Sequence, residues 1–332
     1  MCLTCQIIAT RTLQLGDDDG PGELSSNPFL SCSATGTFAV TASPAGRPTT
    51  IVLYDANGKF RRTLGRSGSG PGEYRTAYPI KFAARDSLYV FDLSVRRLTV
   101  LAPDGKYVRT VQMPMRVSAA VLLPNGSTAM FSIMGNTKLP GAPLHIVDAN
   151  GGVMASFGAD NPDQRPIDDA TYRFVIARSA RGIWAARIND YRISEYDMRG
   201  HLLRTLSVPT SWFPKWEADP KRVTPVPGLF AMQEDGAGLL WVMTRVPDKR
   251  FRVVPSGTPL LQQPTGDEQF DTVIEVIDTR TNRVLASRTL DETLLAFGCA
   301  GTAYAYREDA NDRPHVDVWK LSVNGLTSAQ KF

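Results

Sequence analysis

The feature that most constrains this chain is a strand, tight turn and strand that recur at nearly constant spacing. The clearest copy is Ile51-Val52-Leu53-Tyr54-Asp55-Ala56-Asn57-Gly58-Lys59-Phe60, and further turns fall at Asp104-Gly105, Asn150-Gly151 and Arg199-Gly200. The steps between these turns are 47, 46 and 49 residues. Asn-Gly and Asp-Gly pairs predict type I′ hairpins, whose central residues need positive φ. A copy at 274–278 and 283–286 uses a longer turn over 279–282, and Asn324-Gly325 is a further candidate, which makes six hairpins. Two more short strands precede each hairpin, as at 79–83 with 87–91 and at 173–177 with 182–186.

A second repeat lies near the N-terminus. Leu15-Gly16 precedes Gly20-Pro21-Gly22-Glu23-Leu24, and Leu64-Gly65 precedes Gly70-Pro71-Gly72-Glu73-Tyr74, 50 residues on. The chain therefore starts with what resembles the end of a repeat unit. Four antiparallel strands per 40 to 50 residues is the pattern of a propeller blade, because radial repetition leaves only short, protected sheet edges. The reading is all-β, a single six-bladed β-propeller spanning 1–332, with blades at about 25–65, 75–113, 116–158, 172–208, 225–290 and 294–325. The strand at 7–15 is expected to close the ring as the outermost strand of the last blade. The segments 209–224 and 247–271 fit no strand.

The run Gly-x-Gly-Pro-Gly-Glu-Tyr ending at Tyr74, followed by Pro79-Ile80, Leu88-Tyr89-Val90-Phe91-Asp92 and Arg97-Leu98-Thr99-Val100, resembles a unit of the NHL-like (TolB-like) six-bladed propeller family. The match is specific over 60–112 and weakens toward the last two blades. The resemblance implies a binding platform, with enzymes in the minority, and an extracytoplasmic setting. The N-terminus Met1-Cys2-Leu3-Thr4-Cys5-Gln6 itself has no basic and apolar pattern of an export signal, and no apolar run is long enough for a membrane span.

In a propeller, the loops from second to third strand and from each blade to the next share one face. The segments 65–78, 134–143, 159–172, 209–224 and 247–271 all fall there, so this face and the mouth of the central channel are the expected binding region. Candidate side chains are Tyr74 and Arg75 after the GPGE turn, Tyr172 and Arg173 at the entry to the fourth blade, Trp212 and Trp216, and Arg245 and Arg250 beside the largest insertion. Aromatic residues and arginines are what interfaces favour. The alternative for each is packing: the tryptophans pin their loop, the arginines are solvated, and the Tyr-Arg pairs fill the space between blades.

Other chemistry is weaker. With 37 basic and 33 acidic residues spread along the chain, the net charge of +4 does not mark a nucleic-acid binder, and Asp248 interrupts the run from Arg245 to Arg252. RNA binding is a second alternative only. The glycines of 65–72 lack the Lys-Ser/Thr of a phosphate loop, and Ser67 and Ser69 miss the G-x-S-x-G spacing. No cofactor is expected. Asp17-Asp18-Asp19 with Glu23 would suit calcium, though a solvated acidic loop is the simpler reading. Cys2, Cys5, Cys32 and Cys299, with only three histidines (145, 201 and 315), give no zinc pattern; a frayed terminus plus two small buried residues is expected. Asp92, Asp148, Asp197 and Asp278 sit near strand ends, where bonds to local backbone are the ordinary role. The expected function is a non-catalytic, monomeric binding propeller for a protein or glycan partner. The alternative is a metal-dependent hydrolase or lyase with its site at the central channel.

Overall fold

The computed structural model describes residues 5–17, 19–24, 28–42, 50–132, 141–159, 173–206, 208, 212–213, 215–217, 223–253, 269–299 and 301–326. It is all-β: six four-stranded antiparallel sheets arranged as the blades of a propeller. The first blade is β2 (Leu30–Cys32), β3 (Phe38–Ala42), β4 (Thr50–Tyr54) and β5 (Phe60–Leu64). A parallel pair, β6 (Arg66–Ser67) and β7 (Glu73–Tyr74), leads to the second: β8 (Ala77–Phe82), β9 (Leu88–Asp92), β10 (Arg97–Leu101) and β11 (Tyr107–Gln112). The third is β12 (Ala119–Leu122), β13 (Thr128–Phe131), β14 (Leu144–Val147) and β15 (Val153–Phe157), and the fourth β16 (Phe174–Arg178), β17 (Gly182–Arg187), β18 (Ile193–Asp197) and β19 (Leu202–Leu206). The fifth is β20 (Gly228–Glu234), β21 (Leu239–Pro247), β22 (Phe270–Asp278) and β23 (Arg283–Leu290).

The sixth blade takes β24 (Leu294–Phe297), β25 (Thr302–Glu308) and β26 (Pro314–Asn324) from the C-terminal end and β1 (Gln6–Leu15) from the N-terminal end. Gln6 pairs with Asn324 and Leu15 with Val316, so the expected closing strand is present. Asn324-Gly325 is accordingly no hairpin turn. The chain leaves the sheet there, and the strand that a hairpin would supply comes from the other end of the sequence.

The apolar core lies between blades rather than within any one sheet. Trp184 is fully buried among Leu229, Leu240 and Val242 of the next blade, and Tyr54 packs with Leu15, Val316 and Val318 across the closure. Middle strands are covered on both faces, so β4 and β14 read as nearly continuous apolar runs, whereas the outer strands β11 and β19 carry polar residues toward water. Each fully buried large side chain contributes roughly 1.5–3 kcal/mol.

The hairpins differ from the type I′ expectation. Only the glycine of each pair has positive φ: Gly58 at 78°, Gly105 at 78°, Gly151 at 92° and Gly200 at 83°. Each is followed by a one-residue register shift in the pairing, so the turns are three-residue loops with a glycine bulge. Asp55, Asp148 and Asp197 hold them closed, each carboxylate accepting from backbone N–H groups two and four residues on. This is why Arg199 is tolerated: no side chain other than hydrogen need enter the left-handed region. In the fifth blade Asn282, φ 55°, takes the glycine's place.

The cysteines also depart from expectation. Cys32 is bonded to Cys299, with Cα atoms 5.4 Å apart, and Cys5 is disulfide-bonded as well. Counting residues treats positions 267 apart as unrelated, but ring closure sets the end of β2 beside the β24–β25 turn.

Candidate functional site

The inner strands β2, β8, β12, β16, β20 and β24 surround a central channel, and two cavities lie along it. The one on the loop-rich face has a volume of about 440 Å³ and is lined by Tyr78, Phe131, Arg173, Phe174, Phe230 and Phe297 among others. The other, about 360 Å³, opens toward the face of the tight turns, where Arg178, Glu234 and the Cys32 end of the disulfide stand. Lys81, Ile176, Met232 and Phe297 line both, so they form the waist of the channel.

Strand alternation explains why Lys81 is there. Its neighbour Ile80 points between blades and is buried, so the next residue of β8 must face the channel. The Lys81 ammonium has no hydrogen-bond or ion-pair partner among the described residues, and enclosure away from water lowers its pKa. Near the mouth, Tyr78 and Phe29 pack at a tilt with ring centroids 3.8 Å apart, Phe131 and Phe174 likewise at 6.0 Å, and the Arg245 guanidinium lies 4.0 Å over Phe230. No carboxylate lines the loop-face cavity among the described residues.

The predicted site residues distribute unevenly. Arg173 reaches the cavity and is exposed. Tyr172 lies outside the described residues. Tyr74 does not reach the channel: it is fully buried between the first two blades with Leu64, Ala77 and Val90. Arg75 is on the surface, its Nε donating to Ser69 Oγ and its backbone N–H to Asp92. Glu73 ties down its own turn, accepting from Gly70 N–H at 2.8 Å and Arg66 Nε at 2.7 Å.

Trp212, 37% exposed, lies edge-on to Tyr191 and Phe213, and Trp216 Nε1 donates to Pro227 O at 2.5 Å while Asn189 donates to the Trp216 carbonyl. Tyr191 also donates to the buried Glu275, and burial raises the Glu275 pKa above the usual carboxylate range. Both tryptophans thus hold the described part of their loop against the blade. Arg245 is spent internally, bridging to Leu294 O with Nε and an Nη, both at 3.2 Å; burial lowers its pKa to about 10. Lys81 was missed by motif reading. The available signal was a lone lysine in an inner strand beside a buried isoleucine.

Arg250 sits between carboxylates, pairing with Asp248 at 2.6 Å and with Asp291. Asp248, Asp271 and Asp291 bring one oxygen each within 4.8 Å of one another, the sole such group of three among the described residues. Burial and the two neighbouring carboxylates raise the Asp271 pKa. These hard oxygens have the chemistry for a divalent cation, but none of the three lines the channel. Of the acidic run near the N-terminus, Asp18 lies outside the described residues and Asp19 is exposed, 3.9 Å from Arg313.

Solved structures with similar backbones include several that are distant in sequence. A member of the DUF4221 family from Bacteroides vulgatus aligns over 97% of this chain and 99% of its own, with a TM-score of 0.69 and 11% identity. The shared fold is a six-bladed β-propeller. A putative exported protein from Bacteroides fragilis follows at 0.62 and 12%, covering 95% of each chain. Virginiamycin B lyase from Staphylococcus aureus aligns over 96% of this chain and 100% of its own at 0.53 and 10%. No family model and no curated protein matches the chain. At such identities the propeller likeness is one of fold alone.

Proposed function

We propose that this protein is a non-catalytic binding propeller that engages a protein or glycan partner across its loop-rich face, outside the cytoplasm. The observation that carries the reading is the apolar exposure on the loop-rich face: Phe29, Trp212, Val223, Phe230 and Val253 are all more than a third exposed on that side. Exposed aromatic and aliphatic groups on long loops are the usual material of recognition surfaces. Other exposed apolar residues, such as Tyr107, Met154 and Leu202, lie on the outer strands near the tight turns. The disulfide at Cys32 and the likeness to a putative exported protein favour an oxidising compartment.

The enzyme alternative draws on the fold shared with a lyase, but its channel lacks a converging ligand set among the described residues. Among the described residues Glu234 is the lone carboxylate on either cavity, and it is engaged by Trp184 Nε1 and Ala180 N–H. His145 is buried inside the third blade, His201 sits at a tight turn and His315 in β26. The test is capture of extracytoplasmic proteins and binding to a glycan array by the wild type and by Phe29→Glu and Val253→Glu. Partner binding lost in both variants, with unchanged melting temperature, supports the reading. Undiminished binding in both variants, or stoichiometric metal together with hydrolase or lyase turnover, overturns it.

A further inference from the structure

The channel mouth has a composition that the partner reading does not use. Two cationic side chains, Lys81 and Arg173, face one cavity, and neither side chain has an acidic partner among the described residues. Lysine is almost never enclosed unless paired, because an ammonium removed from water without a counter-charge is costly. Surface arginines are solvated at little cost, but Lys81 stands at the waist, where the channel walls exclude most of its water. Its isolation is therefore a feature that calls for a ligand of opposite charge. Among the described residues nothing acidic lines this cavity, and Glu234, on the other cavity that Lys81 also lines, is held by Trp184 and Ala180.

The rest of the wall is mostly apolar, with four phenylalanines and Tyr78 among aliphatic residues and Ser118. Phe131, Phe174, Phe230 and Phe297 line a volume of about 440 Å³, within the range of small-molecule sites. Two of these rings have fixed backing: Arg187 lies 5.5 Å over Phe174 and Arg245 4.0 Å over Phe230. Both guanidiniums add positive potential behind the wall without occupying the cavity.

We propose that this cavity binds a small, planar, apolar anion, a carboxylate or phosphate monoester, with its charged oxygens toward Lys81 and Arg173 and its apolar body against the phenylalanine rings. The bound anion replaces the water that Lys81 has lost and supplies the counter-charge its ammonium lacks. The neutral rings supply contact area but little discrimination, so the charge decides which ligands enter. Phe230 is common to this site and to the recognition surface, but Lys81 and Arg173 belong to this site alone, so charge-dependent anion binding and partner capture can fail separately.

The test uses three probes of one shape: 1-naphthoate, 1-naphthyl phosphate and the neutral 1-naphthamide, measured by calorimetry with the full chain and with Lys81→Met, Arg173→Gln and Phe230→Ala. Lys81→Met keeps the stem and removes only the charge, and its melting temperature is recorded alongside. The expected result is that at least one anion binds tenfold or more tighter than the amide. Lys81→Met then removes that preference while leaving amide binding unchanged, and Phe230→Ala weakens all three probes together. Whichever anion binds more tightly identifies the source as carboxylate or phosphate. Equal binding of anions and amide, an anion preference that survives Lys81→Met, or no binding of any probe would overturn the proposal.

Discussion

Cys32 and Cys299, separated by 267 residues, are bonded across the seam where the last blade meets the first. The ring is therefore closed twice there, once by the pairing of β1 with β26 and once covalently. A crosslink spanning nearly the whole chain restricts the unfolded ensemble strongly, by about 5.6 kcal/mol on loop-entropy grounds. Cys299→Ser should lower stability by about that amount in denaturant titrations, and added reductant, which also opens the Cys5 disulfide, should bring wild type and variant to the same value.

Gly65 takes φ 73°, and a Cβ built on it would lie 2.0 Å from the Tyr74 ring. Gly126 has a similar φ of 81° but nothing within 4 Å. Gly126→Ala should cost about 1 kcal/mol from backbone strain alone. Gly65→Ala must also displace a fully buried tyrosine and should cost roughly 3 kcal/mol or more. Equal costs for the two would show that Tyr74 has room to move.

Burial of His145 lowers its pKa to about 4. One ring nitrogen meets Ser156 Oγ at 2.8 Å, and Nε2 has no partner. The unfolded chain, with an ordinary histidine pKa near 6.5, binds the proton more readily in the window between those values. Stability from this residue is thus full above pH 6.5 and is lost as pH falls toward 4, by about 3 kcal/mol in total. Unfolding free energies measured from pH 7 to 4 should show a shallower decline in His145→Leu than in the wild type.

Trp212 and Phe213 pack with Tyr191, which in turn donates to Glu275. Trp212→Ala should lower stability by about 1–2 kcal/mol through lost ring packing. Limited proteolysis should cut within 209–224 faster in that variant. Unchanged stability and cleavage would instead mark Trp212 as a surface residue with no anchoring role.

The sequence pattern carried the architecture far. Strand periodicity, the near-constant turn spacing and the displaced GPGE copy at the N-terminus together specified a closed ring with its closure strand, because each is a local property written in adjacent residues. The turn type was missed since Asn-Gly pairs satisfy both a two-residue turn and a glycine bulge, and only the strand register separates them. The site was harder to read. Arg245 and Tyr74 have the composition of recognition residues yet are consumed in packing between blades.

By itself the sequence determined the repeat, the blade count and the side on which long loops fall. Tertiary structure decided which residues meet: Lys81 with Arg173 at one cavity, Asp248 with Asp271 and Asp291 outside it, and Cys32 with Cys299 across the seam. The reason is geometric. Hydrogen-bond ladders and turns depend on neighbours in the chain, whereas a channel wall draws one strand from each of six blades. Their relative rotation and register exist only once the ring has closed.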